Sequence, residues 1–481
     1  MVPASLKEAV RYIRSHGLVK RGRFHKTREN DIRFDGSASD GVEDVSGASI
    51  ATSLAKRARE ASQVLARTDE SKLREVVRAM ACALLEHCDE ILLANADDIK
   101  AGEESGMSAG LLDRLRLDAT RVQGMADGLV AQAETPEIFG MDWEKAIDNT
   151  TISGLEGQLD IVRMRVPLGV VAMVYEARPN VTADAAGACI RSGNACVLRG
   201  GSQALNSNRA IAKILREAVF EQGIPADCIC LLDTTDRTAT DELMRLRGLV
   251  DVLIPRGGAG LIRHCVENSL VPVIETGTGN CHIYIHETAD FEAARRIVLN
   301  AKTQRVGVCN AAETLLVDEG IAQAFLPQVL SDLAQAGVTI HGDAATCACV
   351  DDNAVVMSRF VDASDDDWVR EYLSMDIAVR VVPGVDAAIA HINTYNTGHS
   401  EAIAANPDTL EGKKAAQRFF REVDAAALYL NASTRFTDGG CFGLGAEIGI
   451  STQKLHVRGP FSAENLTTYK YLVTGQGQAR P

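Results

Sequence analysis

Cys309 lies in the stretch Lys302-Thr-Gln-Arg-Val-Gly-Val-Cys-Asn-Ala-Ala-Glu-Thr314, whose residue types suit nucleophilic chemistry. Upstream, Phe291, Ala294, Ile297, Val298 and Ala301 recur at helical spacing, and downstream Thr314-Leu-Leu-Val317 reads as a buried strand. The thiol therefore falls on a glycine-containing loop between a helix and a strand, where reactive groups are commonly mounted. Lys302 and Arg305 stand close by in sequence, and nearby positive charge draws a thiol toward the nucleophilic thiolate. A buried structural thiol is the competing reading for any of the twelve cysteines.

Other stretches offer groups that bind anions or move protons. Pro255-Arg-Gly-Gly-Ala-Gly260 follows an apolar run and opens a helical pattern. Glycines there permit close backbone approach, and a helix N-terminus turns free N–H groups toward phosphate. The spacing departs from Gly-x-Gly-x-x-Gly, because Arg263 stands where the third glycine would fall. A dinucleotide site at Arg256, Gly257 and Gly258 and a plain tight turn both remain open. Leu198-Arg-Gly-Gly-Ser202 ends another run, and Arg199, Gly200 and Ser202 could meet a ribose 2′-phosphate, the group that separates NADP from NAD. A phosphate loop ending in Gly-Lys-Ser/Thr is absent, which argues against a P-loop kinase. Glu275, in Val273-Ile-Glu-Thr-Gly-Thr-Gly279, suits acid–base chemistry at a strand end. Tyr175-Glu-Ala-Arg-Pro-Asn180 offers a cation at Arg178 and an amide donor at Asn180. Asn431-Ala-Ser-Thr-Arg-Phe-Thr-Asp438 sets Arg435 among hydroxyls, suited to gripping a carboxylate or phosphate bidentately. Taken singly, each of these also reads as ordinary surface chemistry.

The elements that must position these residues alternate in type. Residues 48 to about 133 carry a helical pattern, and Leu155–Val166 alternates as an extended ribbon. Apolar runs at Gly169–Tyr175, Ala195–Leu198, Cys228–Leu232, Val250–Ile254 and Val271–Ile274 are separated by helical segments. Five short runs joined by crossovers predict a mostly parallel, doubly wound sheet, with ligands at the carboxyl ends of its strands. A second α/β unit follows, with strands at His282–Ile285, Thr314–Val317, Val338–His341 and Ile377–Val382 and helices at 291–302, 321–335 and 386–394. The tail Leu466–Val473 is strand-like and is expected to pair with the ribbon of its own chain or of a partner subunit.

A chain of 481 residues holds two or three domains. Its net charge of −15 argues against general binding to nucleic acid or to an anionic membrane, while leaving room for a local basic site. No run reaches the roughly 18 apolar residues of a membrane span. Residues 1–33 carry nine Lys/Arg against three acids and 34–46 are acidic and Gly/Ser-rich, which predicts a mobile extension with one short helix near Leu6–Ile13. Scattered cysteines without a signal-peptide pattern point to a reducing cytosol. The pairs Cys228/Cys230 and Cys347/Cys349 lack a second ligand pair at zinc-site spacing, so no metal is expected.

Five motifs taken together carry a resemblance: Val166-Pro-Leu-Gly-Val-Val with Tyr175-Glu-Ala-Arg-Pro-Asn-Val-Thr182, Ser192-Gly-Asn-Ala-Cys-Val-Leu-Arg-Gly-Gly201, the Cys309 stretch, Asn431–Gly440, and Ser451-Thr-Gln-Lys-Leu-His456. They closely resemble the γ-glutamyl phosphate reductases of proline biosynthesis, a family within the aldehyde dehydrogenase superfamily. The match runs from about Ala48 to Arg480, with Val306 where the family usually has Pro and Cys441 where Gln is common. The resemblance implies an aldehyde dehydrogenase-like α/β fold. On that frame, 1–47 is a mobile extension and 48–278 a Rossmann-like cofactor domain, with 150–166 given to an oligomerisation arm. Residues 279–430 form a catalytic α/β domain, 431–461 return to the cofactor domain, and 462–481 complete the arm.

The resemblance further implies NADPH-dependent reduction of L-glutamyl 5-phosphate to L-glutamate 5-semialdehyde, with phosphate release, through a cysteine thioester. Cys309 would be the nucleophile and Asn180 an oxyanion donor. Arg199, Gly200, Ser202, Arg256, Gly257, Gly258 and Glu371 would hold NADPH/NADP, and Arg178 and Arg435 the substrate. Glu275 precedes Cys309 by 34 residues, the separation of base and nucleophile in the wider superfamily. A cytoplasmic homo-oligomer is expected, and the lability of an acyl phosphate motivates transient contact with glutamate 5-kinase, its source. Two other functions fit the fold, NAD-dependent oxidation of a free aldehyde and a non-catalytic oligomeric scaffold. The two arginines argue against the first and the intact Cys309 loop against the second.

Overall fold

The computed structural model describes residues 49–139, 141–142, 160–350, 352–475 and 477. The expected N-terminal extension and its short helix lie outside them. The chain divides into two compact units. The first takes the residues up to Val273, Leu444–Ile448 and those from Ser462 onward; the second takes Ile274–Gly443 and Gly449–Phe461. Residues 431–443 and 449–461 thus pack with the second unit, although the sequence placed 431–461 with the first.

In the first unit, the helical pattern forms five helices, Ile50–Leu65, Glu70–Glu86, Cys88–Glu104, Ala109–Leu115 and Ala119–Ala133. Ser49 and Asp118 cap two of them by accepting the N–H groups of Thr52 and Arg121, which otherwise lack helical partners. The sheet comprises β3 (Val170–Tyr175), β4 (Ala195–Gly200), β5 (Ile229–Leu231) and β6 (Val252–Arg256), all parallel in the order β5-β4-β3-β6. Every residue of β3 is buried, as a strand covered on both faces requires. The fifth expected run, Val271–Ile274, forms no strand. It makes a single bridge, Leu253 to Val273, with Leu253 N–H donating to the Pro272 carbonyl at 2.8 Å. Pro272 has no N–H with which to continue a ladder.

The ribbon is confirmed from residue 160 onward. Strand β2 (Asp160–Pro167) pairs antiparallel with β16 (Thr467–Thr474) of its own chain, from Pro167 opposite Thr467 to Asp160 opposite Thr474, and β1 (Met141–Asp142) adds to its other edge. Buried Asn194 ties this arm to the sheet: its Oδ1 accepts Gly169 N–H at 2.7 Å and its Nδ2 donates to the Leu466 carbonyl at 2.8 Å.

The second unit is built on seven parallel strands: β7 (Cys281–Ile285), β8 (Ala312–Asp318), β9 (Thr339–Gly342), β10 (Phe360–Asp362), β11 (Asp376–Val382), β12 (Ser400–Ala404) and β13 (Ala427–Leu430). Their order is β10-β9-β11-β8-β7-β12-β13. Alternation along the strands divides the core in two. Ile283, Ile285, Leu315, Val317, Ala402 and Ala404 face helices Phe291–Thr303 and Glu319–Gln335. Tyr284, Leu316 and Ile403 face helices Val385–Tyr395 and Leu410–Glu422. Strands β10, β12 and β13 escaped the sequence reading. Strand β12 is buried throughout yet begins Ser-Glu; one carboxyl oxygen of Glu401 is engaged inside, accepting His282 N–H at 2.6 Å. The small sheet β14 (Gly449–Ser451) with β15 (Gly459–Phe461) completes the unit.

Candidate active site

The loop bearing Cys309 is clasped at its base. Lys302, in the last turn of its helix, meets Glu313 on β8 at 2.6 Å, and both side chains are fully buried. Burial pushes the lysine down and the carboxyl up, and mutual attraction opposes both shifts. Removing one member of such a pair costs about 3–5 kcal/mol. Lys302 is therefore committed to the loop's architecture, and the expectation that it charges the thiol is corrected. The cations that act near the loop are Arg435 and Arg305: Arg435 is lowered by burial first and by the Arg305 charge second, and Cys309 lies within its electrostatic reach. Arg435 Nε donates to Gln304 Oε1 at 2.8 Å.

Glycine at 279 is dictated by a close approach. A Cβ there would lie 1.4 Å from the Cys309 carbonyl oxygen. The Gly279 N–H donates to Glu371 Oε1 at 2.7 Å. Burial raises the Glu371 carboxyl and this hydrogen bond lowers it, for a net upward shift. Two residues on, Leu373 holds a φ of +54°, and its N–H donates to Glu313 at 3.3 Å, so the buried ion pair also steadies the Glu371 segment. On the far side of the thiol, Asn310 Nδ2 donates to the Thr437 carbonyl at 2.8 Å and Thr434 Oγ1 donates to the Asn310 carbonyl at 2.7 Å. The Arg435 segment thus grips the residue after Cys309.

His399 went unpredicted and stands nearest the chemistry. Its Nε2 lies 3.1 Å from Cys309 Sγ, and its Nδ1 lies 2.8 Å from Ser400 Oγ. The ring is fully buried, which lowers its pKa to about 4 and leaves it neutral at ordinary pH. Cys309 is half-buried, while neighbouring Cys281 is fully buried and donates its thiol to the Cys309 carbonyl at 3.2 Å. Burial drives the Cys281 thiol well above its usual range, as expected of an inert structural thiol. Cys309, His399 and Cys281 all sit at the amino ends of the parallel strands β8, β12 and β7. Glu275 is half-buried, with its N–H held by Gln453 Oε1 at 2.6 Å, and it ends no strand.

The remaining predicted residues lie in the first unit, at the carboxyl ends of β3, β4 and β6 as expected. Gly200 and Arg256 each register against Tyr175, on opposite sides of β3. Glu176, directly after β3, accepts the Gly258 N–H at 3.1 Å, and a Cβ at Gly257 would meet its carboxyl carbon at 2.6 Å. A carboxylate of the chain itself thus occupies the helix N-terminus that the sequence assigned to phosphate. Arg199 donates to the Gly200 carbonyl at 3.0 Å, and its buried Nε has no hydrogen-bond partner. Burial, and next the charge of Arg237, hold its pKa down. Two guanidiniums and an orphaned N–H fit an anionic group there, with Ser202 exposed nearby in sequence. Asn180 is exposed and donates to Asp184 at 3.0 Å, while Arg178 is half-buried. Burial raises the Asp184 carboxyl to about 6.

Among the described residues no helix is long and apolar enough to cross a membrane, and no group of three His, Cys, Asp or Glu is placed to hold a metal. The aldehyde dehydrogenase family profile matches residues 42–373. A γ-glutamyl phosphate reductase of Caldanaerobacter subterraneus is 50% identical over 427 residues, covering 89% of this chain and 98% of that one. The enzyme of the same name from Thermobifida fusca is 49% identical with the same coverage. The crystal structure of γ-glutamyl phosphate reductase from Thermotoga maritima superposes with a TM-score of 0.82 at 43% identity, covering 90% of this chain and all of that one. An acetylating aldehyde dehydrogenase from Geobacillus thermoglucosidasius, 20% identical with a TM-score of 0.61, shares the fold. It covers 90% of this chain, which spans 97% of that one. The chain belongs to the aldehyde dehydrogenase family and, within it, to the oxidoreductases of the γ-glutamyl phosphate reductase group.

Proposed function

We propose that the chain reduces L-glutamyl 5-phosphate to L-glutamate 5-semialdehyde with NADPH, through a thioester on Cys309. The observation that carries this reading is the half-buried Cys309 thiol set against a buried, neutral imidazole at 3.1 Å. Cys309 Sγ attacks the acyl carbon, phosphate departs with the C–O bond electrons, and a thioester remains. NADPH, when bound, supplies a hydride to the thioester carbonyl. The resulting hemithioacetal collapses to aldehyde and the Cys309 thiolate. The Cys309 N–H and the second amide N–H of Asn180 serve as oxyanion donors, worth roughly 3 kcal/mol each where such donors have been removed. Arg178 and Arg435 bind the substrate's anionic groups, and Glu371 holds the nicotinamide ribose through the oxygen that Gly279 leaves unused.

NADPH is preferred over NADH through Arg199 and Ser202, on the evidence of the orphaned Arg199 Nε beside the Arg237 charge. Arg199→Ala should lower kcat/KM for NADPH by roughly 10- to 100-fold and leave NADH nearly unaffected, the scale of one hydrogen bond to a charged group. Equal losses with both cofactors would contradict this assignment. Gly200, Arg256, Gly257 and Gly258 complete the cofactor loops, with Glu176 giving up the Gly258 N–H when phosphate enters.

A reductase of acyl phosphates has no hydrolytic step, and a water-activating base would destroy its intermediate. Glu275→Ala should therefore cost well under the 10²–10⁴-fold that loss of a general base costs. A loss in reductive turnover as large as that of Cys309→Ala would refute this view.

The protein acts in the cytoplasm, a reducing compartment that keeps cysteines as thiols. It assembles with copies of itself through the arm, whose Tyr469, Tyr471 and Val473 are exposed. Sedimentation as a monomer at micromolar concentration would count against that assembly. Transient contact with glutamate 5-kinase follows from substrate lability, and the absence of channelling in a coupled assay would dismiss it.

A further inference from the structure

We propose that a buried chain of hydroxyls, His399–Ser400–Thr437–Tyr429, carries the Cys309 thiol proton to and from the surface. The proposal rests on the reading of Cys309 as nucleophile and goes beyond it by naming the proton's route. Four contacts run in series. Cys309 Sγ lies 3.1 Å from His399 Nε2, and His399 Nδ1 lies 2.8 Å from Ser400 Oγ. Ser400 Oγ lies 2.6 Å from Thr437 Oγ1, which lies 2.7 Å from the Tyr429 hydroxyl. Ser400, Thr437 and His399 are fully buried, whereas Tyr429 is half-buried and forms the outer end.

The chain has two uniform polarities. In the first, the thiol donates to Nε2, Nδ1–H donates to Ser400, Ser400 to Thr437, and Thr437 to Tyr429. As sulfur attacks the acyl carbon, its proton passes to Nε2 and the Nδ1 proton passes to Ser400. Ser400 hands its proton to Thr437, Thr437 hands its own to Tyr429, and the phenol releases one to water. Every bond then points inward, the second polarity, and no charge remains on the relay. When the hemithioacetal collapses to aldehyde and thiolate, one proton returns by the same steps and restores the thiol. Atoms and electrons balance without any added oxidant or reductant.

The surroundings suit a carrier more than a standing ion pair. The groups that face His399 are Cys309 from the loop, Cys281 from β7 with its thiol 3.9 Å from Nδ1, and Ser400 from its own strand. None is a carboxylate. Burial keeps the imidazole neutral above about pH 4, so it is ready to accept a proton across the working range. The nearby cations act on Cys309 through Arg435. Hydrogen-bonded hydroxyls in a dry interior polarise one another and transmit protons without intervening water.

The test is the second-order rate of iodoacetamide alkylation at Cys309 between pH 6 and 10, on the purified full chain, for the wild type, His399→Gln, Thr437→Val and Thr437→Ser. His399→Gln should alkylate about 10²-fold more slowly at pH 7, the lower range for loss of a general base, and approach the wild type near pH 10, where hydroxide removes the thiol proton. Recovery at high pH also shows that the variant is folded. Thr437→Val keeps the imidazole against the thiol and breaks the relay, so it should slow alkylation at pH 7 by roughly 10-fold, the scale of one lost hydrogen bond. Thr437→Ser should restore the wild-type profile. Wild-type profiles in both His399→Gln and Thr437→Val, with Cys309→Ser still inactive in turnover, would overturn the relay while sparing the nucleophile. A His399→Gln rate that stays low at every pH would overturn it too, because a purely structural imidazole gives that result. Retained turnover in Cys309→Ser would instead overturn the reading of Cys309.

Discussion

Replacing Cys309 by serine should reduce reductive turnover by on the order of 10⁴-fold or more, the scale seen when a covalent nucleophile is deleted. The two side chains are nearly isosteric, and the backbone of residue 309 is held by neighbours the substitution leaves in place. The Cys281 thiol still donates to the Cys309 carbonyl, and Asn310 stays fixed between Thr434 and Thr437. The loss therefore arises from chemistry alone. A serine hydroxyl is a far weaker acid than a thiol, so His399, neutral through burial, can draw little alkoxide from it. The ester that would form is also a poorer hydride acceptor than a thioester. Turnover should fall without a comparable fall in substrate or cofactor affinity. Single-turnover release of phosphate should vanish as well, because it reports acyl transfer to the sulfur before any hydride moves. A variant that still shows a phosphate burst would mean that another group attacks.

Gly279→Ala should also be strongly damaging, although residue 279 carries no reacting atom. Its added methyl would fall 1.4 Å from the Cys309 carbonyl oxygen, 2.4 Å from the carbonyl carbon and 2.9 Å from Cα. All three are backbone atoms of the nucleophile, so no flexible side chain can swing aside. Relief must come from moving the Cys309 peptide, the Gly279 peptide or both. The first displaces the thiol from His399, and the second breaks the bond from Gly279 N–H to Glu371. Forcing atoms into a packed interior costs typically about 1–3 kcal/mol. A reacting group displaced by about 1 Å can lose 10²-fold in rate. Thermal unfolding and kcat/KM measured together should show a lowered Tm and a loss of about 10²-fold in kcat/KM. An alanine variant with normal kinetics would show that the contact is not tight in solution.

The sequence revealed what repeats and what is punctuated by glycine. The Cys309 loop was legible because a helical period ends at Lys302 and an apolar strand begins near Thr314, which leaves the thiol on the turn between them. The parallel sheets were legible for the same reason, since strands buried on both faces read as continuous apolar runs. His399 was not legible. It lies 90 residues beyond Cys309 and reaches it only because β12 and β8 both flank β7. Its own strand opens with Ser400 and Glu401, which match no apolar template, and their burial depends on Thr437 and His282, residues distant in the chain. Val271–Ile274 misled in the opposite sense, being apolar enough for a strand while Pro272 breaks the ladder. Lys302 was misjudged because charge and sequence proximity say nothing about direction. The partner that claims it, Glu313, lies on the strand after the loop.

The most direct measurement is NADP reduction by the purified protein supplied with glutamate 5-semialdehyde, with and without inorganic phosphate, the reverse of the proposed reaction. Reduction that requires phosphate, and that disappears in Cys309→Ser, is the predicted result, since only phosphate can resolve the thioester back to an acyl phosphate. Reduction of equal rate without phosphate would contradict it, because water would then be resolving the thioester and the chain would be oxidising a free aldehyde.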